Sequence, residues 1–237
     1  MDILRLGKPL KDLLVPNEPG YHRVRFGPCR GCVLWLNPAD RFFVLLGLLE
    51  PELRPHFRAL HEGSVVCFDV GAADGYYTLA MARGAGTQRV VAFEPDETRA
   101  EQLMRTVQRN AALAPKVQVR KDALGRQADG RGMTTIDSVT QGGPAPDLLK
   151  VDVEGHEEMV LAGGARTIET RRPRILLEFH SAELEAACRA RLEAAGYDVA
   201  TVRPGHRWAR SPPRLHRGWL VAVHPREPPR GDPRPRP

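Results

Sequence analysis

The chain of 237 residues lacks any hydrophobic run long enough to cross a bilayer. Its longest apolar run, Phe42–Leu49, is far shorter than the roughly 20 residues that a membrane-spanning helix needs. The first 20 residues lack the apolar central region of a secretory signal and contain Lys8, Lys11, Asp12 and Glu18. We therefore expect a cytoplasmic protein without a membrane span.

Cysteine is scarce, and its distribution does not suggest a disulfide framework. The chain has 4 cysteines, and Cys67 and Cys188 fall in a strand-like and a helix-like stretch, where each is expected to pack as a small hydrophobic residue. This usage is typical of a reducing compartment.

The remaining two cysteines, Cys29 and Cys32, form a lone C-x-x-C motif. A zinc site would need two further ligands at matching spacing, and His22 is the only nearby candidate. We therefore predict a turn between strands at 21–26 and 33–37, without a metal.

Positive charge is confined to two segments near the carboxyl terminus. The formal net charge is +6, but residues 203–217 carry five arginines and no acids, and residues 226–237 carry four arginines against two acids. These segments contribute +5 and +2, so residues 1–202 sum to about −1, which argues against a nucleic acid partner. Residues 226–237 have no apolar side chain to bury and are predicted to form a disordered Pro/Arg-rich tail.

Residues 65–79 run from an apolar β-type stretch into a glycine-bearing turn and then a helical pattern. Gly71 and Gly75 are four residues apart, and Asp69 precedes the first of them by two. This spacing differs from the G-x-G-x-x-G of dinucleotide-binding folds, which argues against a dehydrogenase. A carboxylate at Asp69 suits a ligand with an ammonium group or hydroxyls, such as S-adenosyl-L-methionine (SAM).

Acidic residues also follow three later β-type runs. Glu94 ends the run after residue 89 and is expected to bind ribose hydroxyls; Asp122 ends the next run; Asp152 and Glu154 end the fourth. Because open α/β sheets bind ligands at the carboxyl ends of their strands, these acids are expected to share one site.

The alternation of elements predicts an α/β fold with a parallel sheet of seven strands. Helices are expected near 40–60, 75–84, 96–112, 156–171 and 182–195, and strands near 64–70, 89–95, 116–124, 147–153, 174–180, 197–203 and 218–224. The segment 1–60, with its strand pair and a Phe/Leu-rich helix, is expected to pack on the core, a lid or a homodimer contact being the alternative.

Several motifs together resemble one family. They are Asp69-Val70-Gly71-Ala72, Tyr77-Thr78, Phe93-Glu94-Pro95, Thr134-Thr135-Ile136-Asp137, the block from Leu149 to Glu157 with Val160-Leu161-Ala162-Gly163 after it, and Leu177-Glu178-Phe179-His180. Over roughly residues 60–202 the chain resembles the FkbM-type SAM-dependent O-methyltransferases. The family commonly has asparagine at the position of Ala73 and a hydrophobic residue at that of Asp74.

This resemblance implies a Rossmann-like class I methyltransferase fold, with a mostly parallel seven-stranded sheet, helices on both faces and one antiparallel strand near the carboxyl terminus. It places the catalytic domain at 61–225, after an appendage at 1–60. The cofactor-binding residues it implies, together with the strand-end pattern, are Asp69, Gly71, Ala72, Gly75, Tyr77, Thr78, Glu94, Asp122 and Asp152.

The chemistry expected is in-line transfer of a methyl group from a sulfonium to an oxygen nucleophile, in which alignment of the reactants contributes most. His180 is the first candidate general base and His156 the second, because both have ordinary pKa values near neutrality; Asp152 is a further catalytic candidate. Each histidine also has a structural explanation, such as a helix start for His156. The nearby acids could bind Mg²⁺, but we expect metal-independent transfer.

The acceptor is expected to be a hydroxyl of a small molecule or glycan, and a specialised metabolite fits a biosynthetic role. An N-methyltransferase is an alternative, although the fourth strand lacks the Asn/Asp-Pro-Pro-Tyr/Phe motif that holds an amino group. A non-catalytic SAM-binding protein is another, and SAM binding without turnover would identify it.

Overall fold

The computed structural model describes residues 17–130, 132–205 and 216–225. Its strands are β1 (Gly20–Arg23), β2 (Val33–Leu36), β3 (Val66–Val70), β4 (Arg89–Phe93), β5 (Val117–Arg120), β6 (Ala123–Leu124), β7 (Met133–Thr134), β8 (Leu148–Val151), β9 (Arg174–Phe179), β10 (Asp198–Val202) and β11 (Gly218–Val223). The predicted tail at 226–237 lies outside the described residues.

The helices are α1 (Pro38–Leu45), α2 (Arg54–His61), α3 (Tyr76–Ala82), α4 (Glu97–Arg109), α5 (Ile136–Gln141), α6 (Glu157–Gly163), α7 (Ala165–Arg171) and α8 (Ala182–Ala194). Short 3₁₀ helices span Pro51–Leu53 and Ala114–Lys116. In the part of the chain that the structure describes, no helix is both long and apolar enough to span a membrane.

Seven strands form the central sheet in the order β10-β11-β9-β8-β3-β4-β5. Strand β11 runs antiparallel to both of its neighbours, while the other neighbouring strands pair in parallel. The predicted seven-stranded, mostly parallel sheet is confirmed, as is the antiparallel strand near the carboxyl terminus.

The register aligns the carboxyl ends of the parallel strands. Val70 pairs with Phe93 on one side and with Val151 on the other, and Val151 pairs with Leu177. The residues that come next along the four strands therefore lie in one row at the sheet edge: Gly71, Glu94, Asp152 and Glu178. This row is the carboxyl edge of the sheet, where open α/β folds bind ligands.

Both faces of the sheet are covered, so its strands are mostly apolar, with Asp69, Lys150 and Glu178 as exceptions near their carboxyl ends. One face carries Cys67 and Leu148 against α2, α3 and the amino-terminal segment, and the other carries Phe68 and Leu149 against α6, α7 and α8. All four cysteines are buried and free, as expected for Cys67 and Cys188.

The amino-terminal segment packs on the sheet. Strands β1 and β2 form an antiparallel pair with the C-x-x-C motif in the connecting turn, as predicted. Leu34, Val44 and Phe57 from this segment belong to the same buried cluster as β3 and β8.

Three predicted elements are divided. The helix expected at 40–60 stops at Leu45 and resumes at Arg54, because Gly47 adopts φ +64° and Pro51 lacks a backbone donor. The helix expected at 156–171 divides at Gly164, where a Cβ atom would lie 3.0 Å from Ile136. The strand expected at 116–124 becomes β5 and β6, because β6 leaves the central sheet and pairs with β7.

Candidate active site

The turn after β3 requires glycine at its first position. Gly71 has φ +79°, and a Cβ atom there would lie 1.8 Å from the backbone oxygen of Asp152. The amides of Gly71 and Ala72 both donate to the Phe93 oxygen, at 3.0 Å. The turn is therefore pressed against the neighbouring strands, and Gly75, at φ +84°, leads into α3.

Glu94 holds this turn in place. Its Oε2 atom accepts a hydrogen bond from the Ala73 amide at 2.9 Å, and its Oε1 atom accepts one from the Asp96 amide at 3.1 Å. Ala73 has φ +45°, a left-handed conformation that asparagine tolerates better than alanine. The asparagine common in the FkbM family at this position therefore has a conformational explanation.

Asp69 lies behind the turn, with its side chain fully buried. Thr78 donates its hydroxyl to Asp69 Oδ2 at 2.6 Å, and Lys150 Nζ lies 3.5 Å from Oδ1. Burial raises the pKa of Asp69, and the Lys150 charge opposes that rise. The predicted cofactor residues Asp69 and Thr78 thus form a buried pair that supports the turn.

Lys150 links two strand ends, a role that the sequence did not indicate. Its Nζ lies 3.3 Å from Asp152 Oδ2 as well as near Asp69. Burial alone would lower the pKa of Lys150, but the carboxylates of Asp152 and Asp69 raise it above the ordinary value. The ammonium group is therefore held charged within the site.

Two other predicted cofactor residues, Asp122 and Tyr77, are held by side-chain hydrogen bonds. Asp122 follows β5 and accepts a hydrogen bond from Arg120 Nε at 2.8 Å, with about a third of each side chain exposed. Tyr77 is buried in the first turn of α3 and donates its hydroxyl to Glu50 Oε2 at 2.7 Å.

His180 is oriented by a carboxylate that the sequence did not single out. Its Nδ1 atom lies 2.7 Å from Oε1 of Glu157, whose side chain is fully buried. Its Nε2 atom faces Glu178 Oε1 at 3.6 Å and Asp152 Oδ1 at 3.9 Å. The hydrogen bond with Glu157 is the main cause that raises the pKa of His180.

Glu178 is also buried. It accepts hydrogen bonds from Arg217 Nε and, at 3.1 Å, from Trp219 Nε1. Burial and the charge of Asp152 raise its pKa, and Arg217 opposes that rise.

The second candidate base has a different setting. His156 is exposed and precedes α6 without a side-chain hydrogen bond that caps the helix. The structure thus brings Asp152, Glu178 and His180 together, and it places His156 at an exposed helix start.

Asp152, Glu178 and His180 also offer ligand atoms that lie within 4.8 Å of one another. These groups could hold a divalent cation. Lys150 and Arg217 already offset the charges of the two carboxylates, however, which reduces the attraction for a further cation.

The chemistry of the edge fits SAM. Its amino acid end carries an ammonium group and its ribose carries two hydroxyl donors, while the site offers the carboxylates of Glu94, Asp122 and Asp152 as acceptors. The glycine turn lets a ligand approach the backbone closely.

Comparisons with known proteins agree with this geometry. Residues 130–199 match the family model described as the methyltransferase FkbM domain. No match was found among curated proteins.

Solved structures share the fold at low identity. The methyltransferase FkbM from Methylobacillus flagellatus aligns with a TM-score of 0.54 and 19% identity over 68% of this chain, and the chain spans 44% of that protein's length. Cofactor-bound Rv0187 from MTB aligns with a TM-score of 0.50 and 19% identity, over 74% of this chain and 79% of the Rv0187 chain. The Bacillus cereus O-methyltransferase in complex with SAH aligns with a TM-score of 0.51 and 18% identity, over 73% of this chain and 80% of that protein.

Proposed function

We propose that this chain, a SAM-dependent methyltransferase of the FkbM type, transfers the methyl group to a hydroxyl of a small molecule or glycan. The observation that carries the proposal is the pairing of His180 with buried Glu157 beside the cofactor edge. Nδ1 is occupied by Glu157, so Nε2 is the ring atom left to take a proton from an acceptor.

The cofactor would be held by the glycine turn and the acids that follow the strands. Glu94 would accept hydrogen bonds from the ribose hydroxyls, and its hydrogen bonds with the Ala73 and Asp96 amides, which fix its carboxylate, support this role. In this proposal Asp122 binds the adenine, and Asp152 accepts a hydrogen bond from the amino acid end of the cofactor. When bound, SAM supplies an electrophilic methyl group on its sulfonium.

The protein's own contribution is alignment followed by proton transfer. Placing an acceptor oxygen in line with the methyl group supplies the larger part of the rate enhancement, since effective molarities reach about 10⁵–10⁸ M for well-oriented reactants. His180 Nε2 then receives the hydroxyl proton while Glu157 stabilises the imidazolium that forms, a step worth about 10²–10⁴-fold.

We also propose that transfer is independent of a metal, because Lys150 and Arg217 occupy the carboxylates that a cation would need. Residues 61–225 would form the catalytic domain and residues 1–60 an appendage that packs on it.

The proposal can be tested with SAM that carries a labelled methyl group. The acceptors are matched pairs in which one hydroxyl group is replaced by an amino group, such as catechol and 2-aminophenol. We expect label in the hydroxyl compounds as methyl ethers, identified by product mass and NMR. Label that appears only on nitrogen would favour the N-methyltransferase, and calorimetric SAH binding without any product would favour a non-catalytic protein.

A further inference from the structure

Glu50 reaches the active site from outside the predicted catalytic domain. It lies between α1 and the 3₁₀ helix at Pro51–Leu53, and its backbone has φ +41° and ψ +60°. A left-handed conformation is unfavourable for a residue with a Cβ atom and tends to occur where a side chain is needed at a functional site. A glycine would adopt this turn without strain, whereas here the position carries a carboxyl group.

The carboxylate of Glu50 joins three elements at the site. Oε2 accepts the hydroxyl of Tyr77, and Oε1 lies 3.6 Å from Arg217 Nη2. The same guanidinium donates through Nε to Glu178. Arg217 therefore lies between a carboxylate of the amino-terminal segment and one of β9.

The acids around Glu50 outnumber the cations by one. Glu50, Asp152 and Glu178 lie near Lys150 and Arg217. Burial, followed by the charge of Glu178, raises the pKa of Glu50 above its ordinary value. An additional anion would be repelled here, whereas hydroxyl groups would find acceptors.

We propose that Glu50 is an acceptor-binding residue and that the acceptor is an uncharged, hydroxyl-bearing molecule. The inference rests on the proposed function and extends it, because it assigns the amino-terminal segment to the acceptor side of the site. Glu50 receives a hydrogen bond from an acceptor hydroxyl and fixes its orientation, while His180 takes the proton.

Three variants separate this role from a structural one. Glu50→Gln keeps the size of the side chain but removes its charge, and Glu50→Gly removes the side chain while relieving the backbone strain. Glu62→Gln changes an exposed glutamate that directly follows α2 and serves as the control.

The probes are catechol and methyl α-D-glucopyranoside, each paired with an anionic counterpart, 3,4-dihydroxybenzoate and glucose 6-phosphate. We expect wild type to methylate at least one uncharged probe and to prefer it to its counterpart. In Glu50→Gln, assayed above the pKa of about 7 to which burial raises Glu50, the acceptor KM should rise at least about tenfold, as for loss of a hydrogen bond to a charged group. The affinity for SAH should stay within about twofold of the wild-type value, because Glu50 is proposed to contact the acceptor and not the cofactor.

Glu50→Gly relieves the backbone strain but removes the acceptor of the Tyr77 hydroxyl, and it should show the same loss for the acceptor. Wild-type KM and kcat in Glu50→Gln would overturn the role of Glu50 alone. Preference for the anionic probes would overturn the acceptor class. SAH binding with no methylation of either uncharged probe by wild type would overturn this inference together with the proposed function.

Discussion

The Nδ1 atom of His180 lies 2.7 Å from the Oε1 atom of Glu157, a carboxylate with no solvent exposure. His180 lowers the pKa of Glu157 against the effect of burial, and Glu157 is the largest cause that raises the pKa of His180. The pair therefore favours the charged state of both groups. It also gives the His180 ring a fixed orientation and a proton affinity above that of free histidine.

This pairing predicts how activity depends on pH. His180 can accept a proton only when its ring is neutral, so turnover should rise as the pH increases through its raised pKa. In Glu157→Gln that pKa should fall towards the ordinary value of about 6.5. The acid limb of the kcat profile should then move to lower pH, and the plateau should be lower because the base is weaker.

Glu169→Gln, which changes an exposed glutamate of α7, is the control for that measurement. An acid limb at the same pH in wild type and in Glu157→Gln would show that another group controls the proton transfer.

Glu94 holds the turn after β3 and is proposed to bind the cofactor, so its removal should affect both. Its carboxylate accepts the Ala73 and Asp96 amides and is proposed to bind the ribose hydroxyls. Glu94→Ala should weaken SAH binding by about 1.5–3 kcal/mol or more, the value of one hydrogen bond to a charged group. Calorimetry measures this, with Glu97→Ala, an exposed acid nearby, as the control. Equal affinity in wild type and Glu94→Ala would remove Glu94 from the cofactor site.

Gly71 should not tolerate a side chain. Gly71→Ala would place a Cβ atom 1.8 Å from the Asp152 oxygen in a backbone conformation that alanine disfavours. We expect a loss of unfolding free energy of more than about 2 kcal/mol, together with weaker SAH binding. Gly142→Ala is the matched control, since no atom lies within 4 Å of its added Cβ and its φ is not positive. Similar denaturation midpoints for the two variants would contradict the account of the turn.

The sequence predicted the parts of the molecule that depend on local pattern. Apolar runs buried on both faces predicted the seven strands, and the acids after them predicted which residues share the carboxyl edge. The FkbM resemblance is supported by the family match at residues 130–199. SAM as cofactor agrees with the Bacillus cereus O-methyltransferase in complex with SAH, which shares the fold.

What could not be predicted depends on contacts between distant segments. Nothing local distinguishes His156 from Glu157, yet one is exposed and the other fully buried against His180. Glu50 meets Tyr77 and Arg217 across long stretches of chain, and its segment lies outside the motifs of the family. The glycine at 164 divides a helix because Ile136 packs against it, which helical periodicity does not reveal.

Replacement of His180 tests whether this residue is the general base. His180→Ala should lower kcat by about 10²–10⁴-fold, because base catalysis acts at the chemical step. Its SAH affinity should remain close to that of wild type, since His180 contacts Glu157 rather than the cofactor turn. His156→Ala changes the exposed histidine at the same edge and should have a much smaller effect. Full turnover by His180→Ala would show that His180 has a structural role and is not the general base.

Dialysis against EDTA tests whether a metal ion takes part in the reaction at Asp152, Glu178 and His180. Asp152, Glu178 and His180 can approach a common cation, but Lys150 and Arg217 already neutralise the two acids. Replacing these contacts by a divalent ion would bring two positive side chains close to it, at an electrostatic cost. We therefore expect the same initial rate before and after dialysis against EDTA, and no stimulation by added Mg²⁺. Activity that is lost with EDTA and restored by Mg²⁺ would show that the three residues act as metal ligands, with His180 no longer free to serve as the base.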